Sequence, residues 1–216
     1  MRDLRILALH GYHGSADILR RQLVPLASAL HGVDFVYVDA PSLRARDFGW
    51  WHSPARGWDR SRAWATRLFA SQPRFDGVFG FSQGAAMAGL LAGLREQRPS
   101  SGDDPAASID FDFAVMVGGF KNDAPHLADF YRKRLTVPSV HIIGRQDGIV
   151  PPRESQTLAE QFTDPLVLAH PGGHVIPDTA DVVDGLATFL DRLREDGHAP
   201  GADALLSSPH DARDAR

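Results

Sequence analysis

Short apolar runs alternate with longer amphipathic stretches along almost the whole chain. The runs predict six strands: Leu4–Leu9, Asp34–Val38, Gly77–Gly80, Phe113–Val117, Ser139–Ile143 and Leu166–Ala169. The stretches between them predict helices: Asp17–Leu30, Arg60–Ala70, Gln83–Gln97, Pro125–Arg134, Pro152–Gln161 and Thr179–Glu195. Because the strand runs contain few polar residues, we expect them to be buried on both faces. This alternation predicts an α/β fold, with a mostly parallel sheet of about six strands and helices on both faces.

Three segments depart from the alternation. Arg98–Asp110 is rich in Pro, Ser, Gly and Asp, which is typical of a surface excursion. Pro41–Asp59 carries aromatic residues and arginines in a loop-like context, and we interpret it as a short lid. His198–Arg216 has little apolar content and is predicted to be a disordered tail. The domain organisation is therefore one domain over residues 1–197, followed by a tail over 198–216.

Composition narrows the class of function. A chain of 216 residues with 43% hydrophobic residues fits one soluble domain with a real core. A net charge of -4 argues against binding to nucleic acid or to an acidic membrane surface. No run reaches the ~20 apolar residues of a membrane span, and the N-terminal apolar run is too short for a signal peptide. We expect a cytoplasmic protein. The absence of cysteine excludes disulfides, thiolate catalysis and cysteine-based zinc sites.

Gly80-Phe81-Ser82-Gln83-Gly84 matches the Gly-x-Ser-x-Gly nucleophile elbow. In this motif a sharp turn between a strand and a helix lifts the serine hydroxyl clear of the backbone. The bare pattern is weak, but here a predicted strand precedes it and a predicted helix follows it. The small residues after Ser82 would let that helix lie close to the sheet. We therefore predict Ser82 as a nucleophile.

The acid of a serine triad should follow the nucleophile in this fold, in a loop at the carboxyl end of a strand. Two loops qualify, and they carry Asp147 and Asp123. We prefer Asp147, because its loop is short, bounded by glycines and followed by an apolar Ile-Val-Pro anchor. Asp123 is the alternative. Asp76, Asp112 and Asp164 precede their strands and so lie at the wrong end of the sheet.

The base should be a histidine beyond the last strand. His174 stands there in a glycine turn that could direct its imidazole at Ser82, and we predict it as the general base. His170 ends the last strand and is expected to close the strand or to pack beneath the site. His141 lies within a strand, and His126 opens a helix, where a solvated role is the better interpretation.

The loop after the first strand, Leu9 to Ser15, is rich in glycine and can place a backbone N–H near an acyl oxygen. We predict the N–H groups of Tyr12 and Gln83 as a two-donor oxyanion hole. A phosphate loop is the weaker alternative, because the Gly-Lys-Ser/Thr ending is missing. His10 and His13 lack a third convergent ligand, so no metal site is predicted.

The substrate pocket is predicted from aromatic and apolar residues near these loops. Trp50 and Trp51 follow a glycine in the irregular lid segment, and either of them could line an acyl pocket or belong to the core. Phe120 follows a strand end and is a similar candidate. Ile149 and Val175, beside the predicted acid and base, complete the predicted pocket.

The predicted residues suit acyl transfer to water, so we predict a hydrolase of carboxylic esters. The first alternative is a thioesterase that releases an acyl chain from coenzyme A or a carrier protein, because the same triad serves both leaving groups. A basic rim would favour it, and five arginines in or near the lid could supply one: Arg44, Arg46, Arg56, Arg60 and Arg62. A non-catalytic small-molecule binding protein is the second alternative, since fold alone does not fix function.

Six segments together resemble the FSH family of small serine hydrolases. They are Leu9-His10-Gly11-Tyr12, Phe48-Gly49-Trp50-Trp51, Phe75 to Ala85, Gly118-Gly119-Phe120, Gly144-Arg145-Gln146-Asp147 with Val150-Pro151, and His170 to Pro177. The resemblance extends from about Leu4 to Leu193. The segments around Ser82 and His174 are the most specific, and the other four support them.

The resemblance implies an α/β-hydrolase fold, esterase or thioesterase activity without a cofactor, and the triad Ser82, Asp147 and His174. It implies a small-molecule acyl ester or thioester as substrate, with an acyl carrier protein as a further candidate partner, since some fungal relatives release polyketide chains from carriers. One departure concerns the first loop. Relatives often have a polar pair where this chain has His13-Gly14-Ser15, which bears on substrate choice.

Overall fold

The computed structural model describes residues 3–42, 49–97 and 108–196. Six parallel strands form its sheet: β1 (Leu4–Leu9), β2 (Val33–Val38), β3 (Gly77–Phe81), β4 (Phe113–Val117), β5 (Ser139–Gly144) and β6 (Leu166–His170). Five α-helices connect or follow them: α1 (Ala16–Ala29), α2 (Trp58–Ser71), α3 (Gln83–Glu96), α4 (Pro152–Ala159) and α5 (Ala180–Asp196). The predicted α/β class is confirmed.

The strand order is β2-β1-β3-β4-β5-β6, and every neighbouring pair is parallel. The register brings the carboxyl ends of the strands to one edge of the sheet. Leu9 pairs with Gly80, and Gly144 pairs with His170. The loops that follow β1, β3, β4, β5 and β6 therefore open on the same side, where open α/β sheets bind their ligands.

Strands β1 to β4 contribute side chains to two separate cores, whereas β5 and β6 contribute to the second one. Leu7 and Leu9 of β1 face a core shared with α2 and α3. Ile6 and Ala8 of the same strand face a second core, shared with α1 and α5. The predicted burial on both faces holds for the central strands, of which β3, β4 and β5 are buried at every position. The edge strands β2 and β6 are only partly buried, because each has a neighbour on one side only.

One predicted helix differs in type. The segment predicted as a helix over Pro125–Arg134 is a 3-10 helix over Pro125–Tyr131. It packs directly on two glycines of α3. A Cβ at Gly93 would lie 2.7 Å from the Cβ of Phe130, and a Cβ at Gly89 would lie 2.9 Å from the Tyr131 hydroxyl. The segment therefore packs closely on α3 at positions where α3 has no side chain.

Several predictions concern residues that the structure does not describe. The tail over 198–216 and the domain boundary at 197 lie outside the described residues, and they stay predictions. Of the surface excursion, only residues 108–110 are described, and of the lid, only 41–42 and 49–59. In the described part of the chain, no helix is both long and apolar enough to cross a lipid bilayer.

Two histidines are built into the fold as neutral groups. His141 of β5 is 2% exposed, lies 3.2 Å from the Ser139 hydroxyl and meets the Phe162 ring edge-on. Burial lowers the pKa of His141 to about 3. His10, at the end of β1, is buried as well, and burial lowers its pKa. In the unfolded chain both imidazoles would take up a proton at mildly acidic pH.

This difference predicts a pH-dependent stability. Below pH ~6.5 the unfolded chain binds a proton at residue 141 that the folded protein does not bind, so the free energy of unfolding falls as the pH falls. A single site contributes at most about 1.4 kcal/mol per pH unit. We expect His141→Leu to reduce the slope of stability against pH between pH 6 and 4, measured by urea unfolding. His126→Leu, at an exposed position, is the matched control. An unchanged slope in His141→Leu would contradict the assignment.

Candidate active site

Ser82 occupies a strained turn between β3 and α3. Its backbone has φ 57 and ψ -119, a region that side-chain-bearing residues rarely adopt. Two glycines make room for the turn. A Cβ at Gly80 would lie 2.2 Å from the Gly84 carbonyl oxygen, and a Cβ at Gly84 would lie 2.1 Å from the Leu9 carbonyl oxygen. The strand, the sharp turn and the helix are those of a nucleophile elbow.

Asp147 and His174 meet above the carboxyl ends of β5 and β6. His174 Nδ1 lies 2.6 Å from Asp147 Oδ2, and the two side chains are 11% and 2% exposed. The other carboxylate oxygen accepts hydrogen bonds from the N–H groups of Ile149 at 2.9 Å and Val150 at 2.8 Å. The carboxylate is therefore fixed by its own loop, and one of its oxygens remains for the imidazole.

The elbow and the imidazole lie side by side. The ring of Phe81, the residue before Ser82, is 4.8 Å from the His174 ring, centroid to centroid. Gly118 packs on the other side with φ 55, and a Cβ there would lie 3.1 Å from the imidazole. Within the described residues the Ser82 hydroxyl makes no hydrogen bond.

The alternative acid and the neighbouring histidine have other positions. Asp123 is exposed on the cleft wall and makes no contact with His174 among the described residues. His170 is 3% exposed and accepts a hydrogen bond from the Gly172 N–H at 3.2 Å. Its carbonyl accepts one from the Arg145 N–H at 2.9 Å. His170 thus packs beneath the turn that carries His174, as the sequence predicts.

The two predicted oxyanion donors flank the serine. Gln83 is the first residue of α3, where backbone N–H groups have no helical acceptor. Tyr12 lies in the loop after β1, and a Cβ at neighbouring Gly11 would lie 3.2 Å from the Ser82 Cβ. Neither N–H donates to another backbone group of the described residues. Their role as oxyanion donors stays a prediction.

A cleft of about 710 Å³ opens beside Ser82. Its apolar lining includes Tyr12, Trp51, Phe120, Ile149, Val150 and Pro151. Its polar lining includes Ser53, Lys121, Asn122, Asp123 and Glu154. The size and the mixed lining suit a small organic substrate.

Three of the five predicted pocket residues line the cleft. Trp51, Phe120 and Ile149 line the cleft, whereas Trp50 and Val175 do not. Trp50 is 1% exposed, because its indole N–H donates to the His10 carbonyl at 2.8 Å and its ring packs on Trp64. Val175 is 52% exposed and lies outside the cleft, beyond His174. The buried tryptophan belongs to the core, which was the alternative for this residue.

The side chain of Gln83 has a role that sequence reasoning missed. It is 6% exposed, its Oε1 accepts from the Trp50 N–H at 2.8 Å, and its Nε2 donates to the Trp51 carbonyl at 2.8 Å. Asn122 does the same further along, with Nδ2 donating to the Pro54 carbonyl at 3.0 Å. Two amide side chains thus attach the Trp51 wall of the cleft to the loops after β3 and β4. The sequence shows an uncharged amide side chain beside each loop, but it does not show which backbone groups that amide binds.

Both ring nitrogens of His10 are engaged by backbone groups, so neither is left to bind a metal ion. Its Nδ1 lies 2.7 Å from the Gly11 carbonyl oxygen, and its Nε2 accepts from the Ala40 N–H at 3.0 Å. These contacts require a neutral ring protonated on Nδ1, in agreement with the lowered pKa of His10 that burial causes. Among the described residues no cluster of three or more His, Cys, Asp or Glu could hold a metal ion.

This fold, with a serine at the elbow and a His–Asp pair at the same edge of the sheet, defines a serine hydrolase of the α/β-hydrolase class. The crystal structure of Zea mays acyl-protein thioesterase 2 has the same fold, with a TM-score of 0.64 at 20% identity. The similarity covers 89% of this chain and 94% of that chain.

Within this class the chain belongs to the FSH1 serine hydrolase family, which matches residues 1–186. The chain is 32% identical over 223 residues to esterase OVCA2 of Xenopus tropicalis, covering 89% of this chain and 94% of that protein. It is 31% identical over 217 residues to an esterase of Anopheles gambiae, covering 89% of this chain and 77% of that protein. The predicted family is confirmed, and ester cleavage is consistent with these relatives.

The Gln83 contacts predict a cost in stability. Gln83→Leu would leave the buried N–H of Trp50 and the buried carbonyl of Trp51 without partners, at about 1–3 kcal/mol each. We expect the free energy of unfolding, from urea titration, to fall by about 2–6 kcal/mol in total. Gln161→Leu, where the amide donates to Thr157 on the protein surface, should cost less than about 1 kcal/mol. Equal losses in the two variants would show that the Gln83 amide does not hold this wall.

Proposed function

We propose that this protein hydrolyses carboxylic esters through an acyl-enzyme intermediate on Ser82. The 2.6 Å contact between Asp147 and His174, beside the strained elbow of Ser82, carries the proposal. A cleft with a largely apolar wall reaches the same serine and would receive the acyl or the alcohol part. A cytoplasmic location stays a prediction from the sequence.

Each member of the proposed triad has a defined task. His174 Nε2 takes the proton of the Ser82 hydroxyl as the oxygen attacks the acyl carbon, and then returns it to the departing alcohol. Asp147 accepts the Nδ1–H, which keeps Nε2 free to act as base and stabilises the imidazolium. Water then repeats the sequence at the acyl-enzyme and releases the acid.

The negative oxygen of the tetrahedral intermediate would lie between the N–H groups of Tyr12 and Gln83. Donors that are fixed before the reaction stabilise developing charge without reorganising, and one such donor is typically worth 10²–10³-fold in kcat. The side-chain bonds of Gln83 favour this role, since they hold the first turn of α3 against the neighbouring wall.

Ester rather than thioester substrates are proposed because the structure offers little of the basic rim expected for a phosphopantetheine carrier. Arg56, Arg60 and Arg62 are exposed and do not line the cleft, whereas Arg44 and Arg46 lie outside the described residues. The two substrate classes are distinguished by measuring the rate of hydrolysis of the p-nitrophenyl ester and of the coenzyme A thioester of the same acyl chain. A carrier protein is a partner only if the thioester is preferred.

A fluorophosphonate probe should label the protein at Ser82. Ser82→Ala should abolish the labelling and lower ester hydrolysis by at least about 10³-fold, because the nucleophile is lost. Ser71→Ala, at an exposed position on α2, is the matched control and should label like the wild type. Labelling is followed by in-gel fluorescence and located by peptide mass spectrometry. Equal labelling of Ser82→Ala would exclude Ser82 as nucleophile, and a wild type that is neither labelled nor active would support a non-catalytic binding protein.

The two candidate acids can be separated by matched substitutions. Asp147→Asn should lower kcat by about 10³–10⁴-fold, because an amide no longer holds the imidazole in the tautomer that leaves Nε2 free. Asp123→Asn preserves the contact between Asp147 and His174 and should retain most of kcat. Steady-state hydrolysis of a p-nitrophenyl ester measures both. If Asp123→Asn gives the larger loss, the acid is misassigned.

A further inference from the structure

Lys121 places a positive charge inside the cleft of the proposed nucleophile. It follows Phe120 in the loop after β4, and it lines the same cleft as Ser82. Among the described residues that line this cleft, it is the only cationic side chain. The proposed mechanism gives it no task.

Among the described residues the ammonium group of Lys121 has no counter-ion. The residue is half-buried, and its Nζ lies 5.8 Å from the centroid of the Tyr131 ring. This is near the outer limit of a cation–π contact. Burial raises the pKa of Tyr131, so that ring remains neutral. In the described part of the chain Lys121 forms no ion pair.

The carboxylates of the cleft do not neutralise Lys121. Asp123 and Glu154 line the same cleft, yet neither pairs with it. Glu154 is paired with Arg153, with 3.4 Å between Oε1 and Nε. Asp123 is exposed, and water therefore screens its charge. A half-buried ammonium that has lost part of its hydration is stabilised by an anion that reaches it.

We propose that Lys121 determines specificity by binding a carboxylate carried by the ester substrate. The substrate class is then a half-ester of a dicarboxylic acid, or an ester of a hydroxy acid. This inference rests on the proposed esterase function and adds the charge of the substrate to it. The carboxylate can belong to the acyl part or to the alcohol part, and the two are tested separately.

Two pairs of esters differ only in charge. For the acyl side, mono-p-nitrophenyl adipate is compared with its methyl-capped form, and for the alcohol side, 4-acetoxybenzoate is compared with its methyl ester. The measured quantity is the ratio of kcat/KM for the anionic ester to that for the neutral one, after subtraction of the rate without enzyme. In Lys121→Met we expect this ratio to fall about tenfold or more in at least one pair, mainly through KM, as for loss of a charge-assisted hydrogen bond.

Three comparisons separate recognition from a structural effect. Lys133→Met, at an exposed position, is the matched control, and Lys121→Arg should retain most of the ratio because the charge is kept. Raising the salt to about 0.5 M should lower the wild-type ratio and leave Lys121→Met nearly unchanged. A structural defect would slow both esters of a pair equally and leave the ratio unaltered.

The contradicting results are distinct. Equal ratios in the wild type and Lys121→Met for both pairs, while neutral esters are still hydrolysed, would overturn the role of Lys121 alone. If Lys121→Met fails to fold, an unchanged ratio in Lys121→Gln does the same. A wild type that hydrolyses none of the four esters would contradict the proposed function, and the role of Lys121 with it.

Discussion

The contact of α3 with the end of β1 is the constraint on which the site depends. The helix begins so close to the strand that a single methyl group at Gly84 would lie 2.1 Å from the Leu9 carbonyl oxygen. This approach brings the loop after β1 next to the elbow, where a Cβ at Gly11 would lie 3.2 Å from the Ser82 Cβ. It also brings the Gln83 amide within reach of Trp50 and Trp51, 33 and 32 residues away in sequence. The proposed nucleophile, the proposed oxyanion donors and the cleft wall therefore depend on one backbone contact.

A second close approach brings together the proposed acid and base. A Cβ at Gly144 would lie 2.4 Å from the Gly173 carbonyl oxygen, so the loops after β5 and β6 touch through their backbones. Gln146 and Arg145 donate backbone hydrogen bonds to Gly172 and His170 across this contact. The 2.6 Å distance between Asp147 and His174 is thus fixed by main-chain geometry. Glycine matters at these two places because neighbouring backbone fills the space of a side chain.

Sequence reasoning predicted the features that local rules determine. Ser82 could be predicted because it stands between a buried strand and a helix of small residues. Asp147 and His174 could be predicted because they follow later strands, and parallel strands end at one edge of the sheet. The burial of Trp50 could not be predicted from the sequence, since it depends on a hydrogen bond to the His10 carbonyl, 40 residues away. The partners of Gln83 and Asn122 are long-range in the same sense. The 3-10 helix could not be predicted either, because it packs on glycines of α3 that contact it only in the folded chain.

Burial lowers the pKa of two histidines near the site, His10 and His170. Burial lowers the pKa of His170, although the charge of Asp147 acts in the opposite direction. A neutral His170 adds no positive charge beneath the loop that carries Asp147. The Asp147 carboxylate accepts hydrogen bonds from two backbone N–H groups and contacts one imidazole, that of His174. His10 is kept neutral at the opposite side of the elbow, with both ring nitrogens engaged by backbone. Among the described residues His174 contacts Asp147 through Nδ1 and makes no other side-chain hydrogen bond, which supports the proposed role of its Nε2 as base.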